Sequence, residues 1–317
     1  MEPARFYRES RVVLVAGKGG VGKTTVAAAI AAAAARRGED VLLFSLGDPL
    51  GFPAAFETSS PLSSDEQVLF AQGGGAVRAR LLLPDAILLE YLADHGFGRI
   101  ARRLEQSGVL DVVASSVPGI REVLILGKIK QLERADAAGC FVVELPASGH
   151  ATRFLTSATG LSDAARSGPL RSQAEAAAAL LADPERCQLV LVTIPEETPV
   201  NETIETAFTV EEETGVTLGP VFVNSCLPLL AHLDNDPADS AAAARVTADS
   251  ATLTRLGEAA RFRLGRQRLQ REQLDRLGSA LPLAQIRLPH LFVPAIDRRA
   301  ILALADALDD ELGAVHS

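Results

Sequence analysis

The sequence is poor in the residues that usually build metal, redox and aromatic-rich sites. It has no tryptophan, one methionine and three cysteines, and aromatic residues make up 4% of its 317 positions. Cys140, Cys187 and Cys226 are scattered and form no Cys-x-x-Cys pair, so we expect buried reduced thiols and neither a zinc site nor an iron–sulfur cluster. Since 48% of the residues are hydrophobic, aliphatic side chains can fill a sizeable core.

Long apolar segments are also missing, and the basic stretch at residues 261–271 has the spacing of a solvated helix face. The formal net charge is −9 and the isoelectric point is about 5.2, which argues against nucleic-acid binding and against attachment to an anionic membrane surface. The apolar run at residues 26–35 is too short to span a bilayer, and the polar residues 1–11 do not resemble a signal peptide. We therefore expect a cytoplasmic protein without an integral membrane segment.

Residues 17–25, GKGGVGKTT, fit the phosphate-binding pattern G-x-x-x-x-G-K-[ST]. The apolar run before them predicts a buried parallel strand, and the alanine-rich segment after them predicts a helix. Glycines let backbone N–H groups turn towards anionic oxygens, and the helix N-terminus adds partial positive charge. The pattern predicts that Lys23 reaches the β- and γ-phosphates and that the Thr24 hydroxyl binds Mg²⁺. The predicted loop residues are Gly17, Lys18, Gly19, Gly20, Val21, Gly22, Lys23, Thr24 and Thr25.

A dinucleotide-binding site is the alternative interpretation of this stretch. Gly17, Gly19 and Gly22 also match G-x-G-x-x-G, and Glu39 or Asp40 lies near the position of a ribose-binding acid. A dinucleotide fold has no use for Lys-Thr-Thr at the start of the helix. The pattern therefore favours a nucleoside triphosphate.

Apolar, strand-like segments alternate with helical segments along almost the whole chain. The predicted strands are residues 12–16, 41–46, 68–72, 76–83, 140–145, 188–194, 219–223 and 287–293. This alternation predicts an α/β fold, a doubly wound and mostly parallel sheet with helices on both faces. Residues 84–134 interrupt the alternation and predict a helical block beside the sheet. Residues 237–250 are either a flexible segment or part of a helical arm.

Several segments together resemble the arsenite-pump (ArsA)/tail-anchored-protein-targeting ATPase family, and most closely its bacterial single-domain members. These segments are residues 17–25, 118–120 with 127–128, 146–150 (PASGH), 192–196 (VTIPE) and 223–224. The resemblance covers nearly the whole chain. It implies that residues 1–317 form a single P-loop ATPase domain, with the helical block 84–134 inside it, and that the protein hydrolyses ATP with Mg²⁺ as a dimer.

The same resemblance assigns roles to individual residues. A lysine directly after the first glycine marks the family's deviant Walker A loop, and Lys18 is then expected to reach the partner's nucleotide. Glu144 stands where the family's second switch carries an aspartate, so it is expected to help hold Mg²⁺ with a side chain one methylene longer. Gly149 would sense the γ-phosphate, and His150 is expected to be structural. Asn224 matches a position that hydrogen-bonds adenine, although an asparagine turning the chain at a strand end is an equally open interpretation.

The family's first switch, D-P-A-H, leaves two interpretations open. Aligned without a gap, its acid falls on Gly47, and Asp48 lies one residue late. If the loop shifts by one residue, Asp48 can orient the attacking water. If it does not, the water lacks its carboxylate and hydrolysis should be weak.

Two functional hypotheses follow. The first is a dimeric Mg-ATP-dependent ATPase with Lys18, Lys23, Asp48 and Glu144 as catalytic residues, whose nucleotide state acts on an unknown client protein. The alternative is a nucleotide-binding, weakly hydrolysing subunit that pairs with an active ArsA-like paralogue. The scattered cysteines do not supply a metalloid site, and the single methionine does not supply the Met-rich groove of the eukaryotic targeting factors.

Overall fold

A computed structural model describes residues 11–94, 96, 98–99, 102–103, 119–164 and 169–314. Residues 104–118 of the predicted helical block 84–134 lie outside this part of the chain. Residues 98–99 and 102–103 of the same block are described and are helical.

The described residues form one eight-stranded sheet. Its strands are β1 (Val12–Gly17), β2 (Asp40–Ser45), β3 (Gln67–Gln72), β4 (Gly75–Leu81), β5 (Cys140–Ala147), β6 (Cys187–Thr193), β7 (Leu218–Cys226) and β8 (Gln285–Pro289). Their spatial order is β3-β4-β2-β5-β1-β6-β7-β8, and only β3 runs antiparallel to its neighbour.

Helices cover both faces of the sheet. They are α1 (Lys23–Arg36), α2 (Gly51–Ala55), α3 (Pro84–Asp94), α4 (Ile120–Arg134), α5 (Ser148–Ala164), α6 (Pro169–Leu181), α7 (Glu197–Glu213), α8 (Pro237–Ala243), α9 (Ser250–Ala280) and α10 (Arg298–Ala314). Because strand side chains alternate, Val13 and Val15 join the core that contains α1 and α10, whereas Val12 and Leu14 join the opposite core. The predicted fold class, a doubly wound and mostly parallel α/β sheet, is confirmed.

Strand β1 lies at the centre of the sheet between β5 and β6, so the glycine loop that follows it emerges at the middle of the sheet edge. All six residues of β1 are buried, as expected for a continuous apolar run with strands on both sides. Val15 pairs with Glu144 of β5, and Gly17 lies beside Val192 of β6. This register places the carboxyl ends of three parallel strands around the loop.

Helix α1 is enclosed on all sides. Ten consecutive residues, 26–35, are buried, and eight of them are alanines, whose small side chains allow the close approach of neighbouring elements. Helix α10 packs against α1. Arg36 pairs with Asp306, and Arg37 pairs with Asp309 at 2.7 Å. These ion pairs join the last turn of α1 to the acidic face of α10.

Near the end of the chain, the last strand differs from its predicted bounds, and residues 237–250 follow one of the two predicted alternatives. Strand β8 covers Gln285–Pro289 rather than residues 287–293. The His290 N–H makes a last 2.8 Å hydrogen bond to the Cys226 carbonyl oxygen of β7, and Phe292 is 71% exposed beyond it. Residues 237–250 contain α8, which Asp236 caps, and Asp249 caps α9. Helix α9 has no buried residue before Gln267, so α8 and the first half of α9 form a helical arm. Within the described residues, no helix has both the length and the apolar character needed to cross a membrane.

Candidate functional site

The glycine loop is shaped by close backbone contacts that exclude larger residues. Gly20 and Gly22 have φ values of +87°, in the left-handed region that favours glycine. A Cβ on Gly22 would lie 2.3 Å from the Asn224 amide nitrogen, and a Cβ on Gly17 would lie 2.3 Å from the Val192 carbonyl oxygen. At Gly19 an added Cβ would meet no atom within 4 Å. The loop is therefore tightly seated on β6 and β7 and open at Gly19, where an anion can approach the backbone.

Lys23 begins α1 directly behind this loop. Its ammonium donates a hydrogen bond to the Lys18 carbonyl oxygen at 3.4 Å, so the side chain curls back along the inner side of the loop. Burial lowers the pKa of the Lys23 ammonium, and the nearby Glu144 carboxylate opposes that shift. A phosphate oxygen could replace the carbonyl as the acceptor.

Thr24 and Glu144 form a pair of oxygen groups beneath the loop. The Thr24 hydroxyl donates a 2.6 Å hydrogen bond to the Glu144 carboxylate. Burial raises the pKa of Glu144, the Thr24 hydrogen bond and the Lys23 charge lower it, and the Asp48 charge raises it further. A second positive charge near Glu144, in addition to that of Lys23, would therefore stabilise the ionised carboxylate.

Asp48 lies on the Thr24 side of the loop. Its Oδ1 accepts a 2.8 Å hydrogen bond from the Leu50 N–H, and the Ser45 hydroxyl donates to its carbonyl oxygen at 2.7 Å. A Cβ built on Gly51 would lie 2.8 Å from Asp48 Oδ2 and 3.0 Å from Thr24 Cγ2, so Asp48 and Thr24 flank the same small residue. The structure thus brings Asp48, Thr24 and Glu144 together, while the role of Asp48 towards water stays a prediction.

Lys18 has a partner that the sequence did not indicate. Its ammonium forms an ion pair with the Glu202 carboxylate of α7, and each side chain is 34% exposed. The two residues are 184 positions apart. No motif joins them, and only the packing of α7 beside β6 brings them together.

Asn224 supports the loop from β7. Its amide nitrogen donates to the Val21 carbonyl oxygen at 2.9 Å, and its Oδ1 accepts from the Ser225 N–H at 2.9 Å. This side chain therefore helps to fix the position of the loop in the single chain. The adenine contact expected from the family resemblance stays a prediction.

A cavity of about 350 Å³ begins one residue beyond Asn224, and it includes Ser225. Phe262 and Phe292 line it together with Glu196 and Arg266, which form a 2.9 Å ion pair. His290 accepts or donates a 2.6 Å hydrogen bond with the Ser225 hydroxyl and contacts the Phe292 ring edge-on. Phe292 lies just beyond the end of β8. Phe262 and Arg266 come from α9 and carried no motif signal.

The remaining predicted residues lie near the loop without decisive contacts. Thr25 is half-buried in the first turn of α1. Gly149 and His150 are exposed at the start of α5, next to the end of β5. Their roles stay predictions.

The oxygen groups at the loop fit Mg²⁺ by their chemistry. The described residues contain no group of three or more His, Cys, Asp or Glu side chains that could enclose a metal ion by themselves. Mg²⁺ in nucleotide sites takes one or two protein oxygens and completes its shell with phosphate and water. The adjacent Thr24 hydroxyl and Glu144 carboxylate suit that arrangement.

The chain is similar to several known ATPases. A family model described as "Anion-transporting ATPase" matches residues 10–55, which contain β1, the glycine loop, α1 and β2. ATPase BagA of Mycobacterium tuberculosis is 34% identical over 249 residues, which are 76% of this chain and 72% of that protein. The arsenical pump-driving ATPase of Escherichia coli is 29% identical over 198 residues, which are 61% of this chain and 31% of that protein. ATPase get3 of Schizosaccharomyces japonicus is 27% identical over 169 residues, about half of each chain.

These similarities agree with the resemblance that the sequence motifs indicated. The match to ATPase BagA extends over more than two thirds of both chains, well beyond the glycine loop. The family prediction is confirmed, and this chain belongs to the ArsA/GET3-like ATPase family.

Proposed function

We propose that this protein binds Mg-ATP at residues 17–25 and hydrolyses it to ADP and phosphate. The observation that carries the proposal is the 2.6 Å hydrogen bond between the Thr24 hydroxyl and the Glu144 carboxylate, directly beneath a glycine loop that is open at Gly19. Two oxygen groups and a half-buried lysine at the start of a helix are the groups that a triphosphate and its metal require.

Each residue has a distinct task in binding. Backbone N–H groups of the loop would donate to phosphate oxygens. The Lys23 ammonium would give up its hydrogen bond to the Lys18 carbonyl oxygen and donate instead to an oxygen between the β- and γ-phosphates. Mg²⁺ would be held by Thr24 and, directly or through water, by Glu144, and would neutralise charge on the phosphates. The adenosine moiety extends past Asn224 towards the cavity of Phe262 and Phe292, where an aromatic face can stack on a base.

Hydrolysis depends on the orientation of one water molecule. Asp48 is the carboxylate that lies beside Thr24 and Glu144, and it can accept a hydrogen bond from water through Oδ2, because Leu50 uses Oδ1. A positioned carboxylate of this kind accelerates proton transfer by about 100-fold or more. Asp48 is therefore the residue on which turnover depends most, after the loop itself.

We infer further that residues 1–317 act as one P-loop ATPase domain that contains the helical block 84–134. Two such chains would face each other so that Lys18 of each reaches the nucleotide of the other. The nucleotide state would then open or close the dimer and act on a client protein. The alternative is a weakly hydrolysing subunit that needs an active paralogue, and it is motivated by the altered position of Asp48 and by Glu144 in place of the family's aspartate.

The experiment compares wild-type protein with Lys23→Ala, and Lys130→Ala serves as the control. Lys130 lies on α4, hydrogen-bonds Gln173 and, like Lys23, has a pKa lowered by burial. We expect Lys23→Ala to weaken ATP binding by about tenfold or more in calorimetry, because charged hydrogen bonds to phosphate are lost. Phosphate release should fall with it, and Lys130→Ala should match wild type.

Unchanged binding and turnover in Lys23→Ala would contradict the proposal. Tight ATP binding with negligible phosphate release by the wild-type chain, restored by an added ArsA-like paralogue, would select the alternative function. High turnover by the purified chain alone would exclude that alternative.

A further inference from the structure

The Lys18 side chain, which the proposed dimer requires for contact with the partner's nucleotide, is paired with Glu202 in the single chain. Lys18 is the second residue of the loop, and its ammonium lies against the Glu202 carboxylate of the same chain. For a dimer to form as proposed, this ammonium must contact a phosphate bound to the other chain. A carboxylate and a phosphate are alternative anionic acceptors for the same ammonium group.

Glu202 is held firmly in place by its helix. It lies in the second turn of α7, between the buried residues Val200 and Thr203. The Thr203 hydroxyl donates to the Pro199 carbonyl oxygen, and the Thr206 hydroxyl donates to the Glu202 carbonyl oxygen at 2.6 Å. Helix α7 packs against β6, α5 and α9. The backbone that carries Glu202 is therefore fixed within α7, and the Lys18 side chain is the one that would change acceptor.

We propose that Glu202 is a positioning residue that retains Lys18 within its own chain and competes with the partner's nucleotide for it. The inference rests on the proposed dimeric function. With a bound triphosphate presented by the partner, Lys18 leaves Glu202 for the more highly charged acceptor. Without a bound triphosphate, Lys18 stays paired with Glu202 of α7. Neither chain then contacts the nucleotide site of the other through Lys18.

The strength of the ion pair suits such an exchange. Both side chains are 34% exposed, and ion pairs of this exposure change an equilibrium by about two- to fivefold. A dimer releases two of them, so loss of Glu202 should shift the dimerisation constant by about tenfold. A pair this weak can be exchanged without unfolding any part of α7.

The first experiment measures the ion pair in the nucleotide-free full-length chain. The chain has only four lysines, Lys18, Lys23, Lys128 and Lys130, so mass spectrometry can follow the reductive methylation of each amine. Glu202→Gln should raise the rate at Lys18 by about threefold and leave Lys130 unchanged. The matched control is Glu205→Gln, an exposed acid one turn further along the same helix. An unchanged rate at Lys18 would overturn the proposal.

The second experiment measures dimerisation by sedimentation velocity with saturating ATP and Mg²⁺. Glu202→Gln should lower the protein concentration at half-dimerisation by about tenfold, and the effect should vanish in a Lys18→Ala background, which a merely structural role of Glu202 would not produce. Weaker dimerisation of Glu202→Gln, or the same shift without Lys18, overturns the proposal. A wild-type chain that binds ATP in calorimetry and stays monomeric also overturns it while leaving nucleotide binding intact. Absence of ATP binding is a failure of the proposed function itself.

Discussion

Thr24 at the start of α1 and Glu144 near the end of β5 are joined by a 2.6 Å hydrogen bond in which the hydroxyl donates to the carboxylate. The contact crosses from the glycine loop to the neighbouring central strand, because β1 and β5 pair with Val15 opposite Glu144. Burial disfavours the ionised Glu144 carboxylate and raises its pKa, and the Thr24 hydrogen bond offsets part of that effect.

The Glu144→Gln variant should be more stable than wild type at neutral pH in the presence of EDTA. Burial raises the pKa of Glu144 above its ordinary value of 4.5, so the folded state binds this proton more tightly than the unfolded chain does. The resulting penalty on the folded state is absent below about pH 4.5 and grows as pH rises through the folded-state pKa. We expect Glu144→Gln to unfold at a higher temperature than wild type at pH 7, with the difference shrinking on acidification. A difference that grows on acidification would contradict this.

Replacing Thr24 by valine removes the hydroxyl and keeps the branched shape of the side chain. Glu144 would lose its hydrogen-bond donor, and the free energy of unfolding of the metal-free protein should fall by about 1 kcal/mol, as measured by urea titration. Mg²⁺ should also no longer tighten ATP binding in calorimetry. Thr24→Ser keeps a hydroxyl and should retain both properties. Equal behaviour of the valine and serine variants would remove Thr24 from the metal site.

The Asp48→Asn substitution should reduce turnover with little effect on ATP affinity. The amide keeps an oxygen for the Leu50 N–H but cannot accept a proton as the carboxylate can, so phosphate release should fall by about 100-fold. Single-turnover phosphate release and calorimetry measure the two quantities separately. The control is Asp65→Asn, an exposed acid on the connection before β3. If Asp48→Asn and Asp65→Asn hydrolyse ATP equally, Asp48 does not orient the water.

Gly22→Ala should damage both folding and nucleotide binding. The new Cβ would lie 2.3 Å from the Asn224 amide nitrogen at a backbone φ of +87°, so we expect a loss of about 1–3 kcal/mol in the free energy of unfolding. Gly19→Ala has open space around its Cβ and should unfold like wild type. Adding Asn224→Ala to Gly22→Ala removes the clash but not the φ strain, so it should restore only part of the stability. Full restoration would show that the strain is negligible.

Strong local patterns made the central part of the fold predictable. An apolar run, a glycine loop and an alanine-rich segment each favour one conformation, and together they locate β1, the loop and α1 to within two residues. The alternation of strand and helix gave the fold class because parallel strands require helical crossovers. The loop residues and Glu144 were found through motifs that are short and contiguous.

Contacts between distant segments were not predictable in the same way. Glu202 meets Lys18 only because α7 packs beside the loop, and a single glutamate among other acids on a helix gives no signal of such a contact. Phe262 lines the cavity beyond Asn224, and it lies in the first half of α9, which has no buried residue. An apolar residue in such an exposed helix gives no indication of which site it lines. The end of β8 was misplaced because residues 291–293 are apolar, whereas Phe292 and Val293 are exposed beyond the strand end at Pro289.

The enclosure of α1 has a further consequence for how such a molecule can move. A helix buried from residue 26 to residue 35, and tied at its end to α10 by two ion pairs, cannot shift without opening a close-packed interior. The start of α1 and the glycine loop before it are thus held in place, and we expect any motion during ATP hydrolysis to come from the elements that surround them. The segment of Asp48, the exposed start of α5 and the Lys18 side chain, which would exchange Glu202 for a phosphate, are the parts that we expect to respond to the nucleotide.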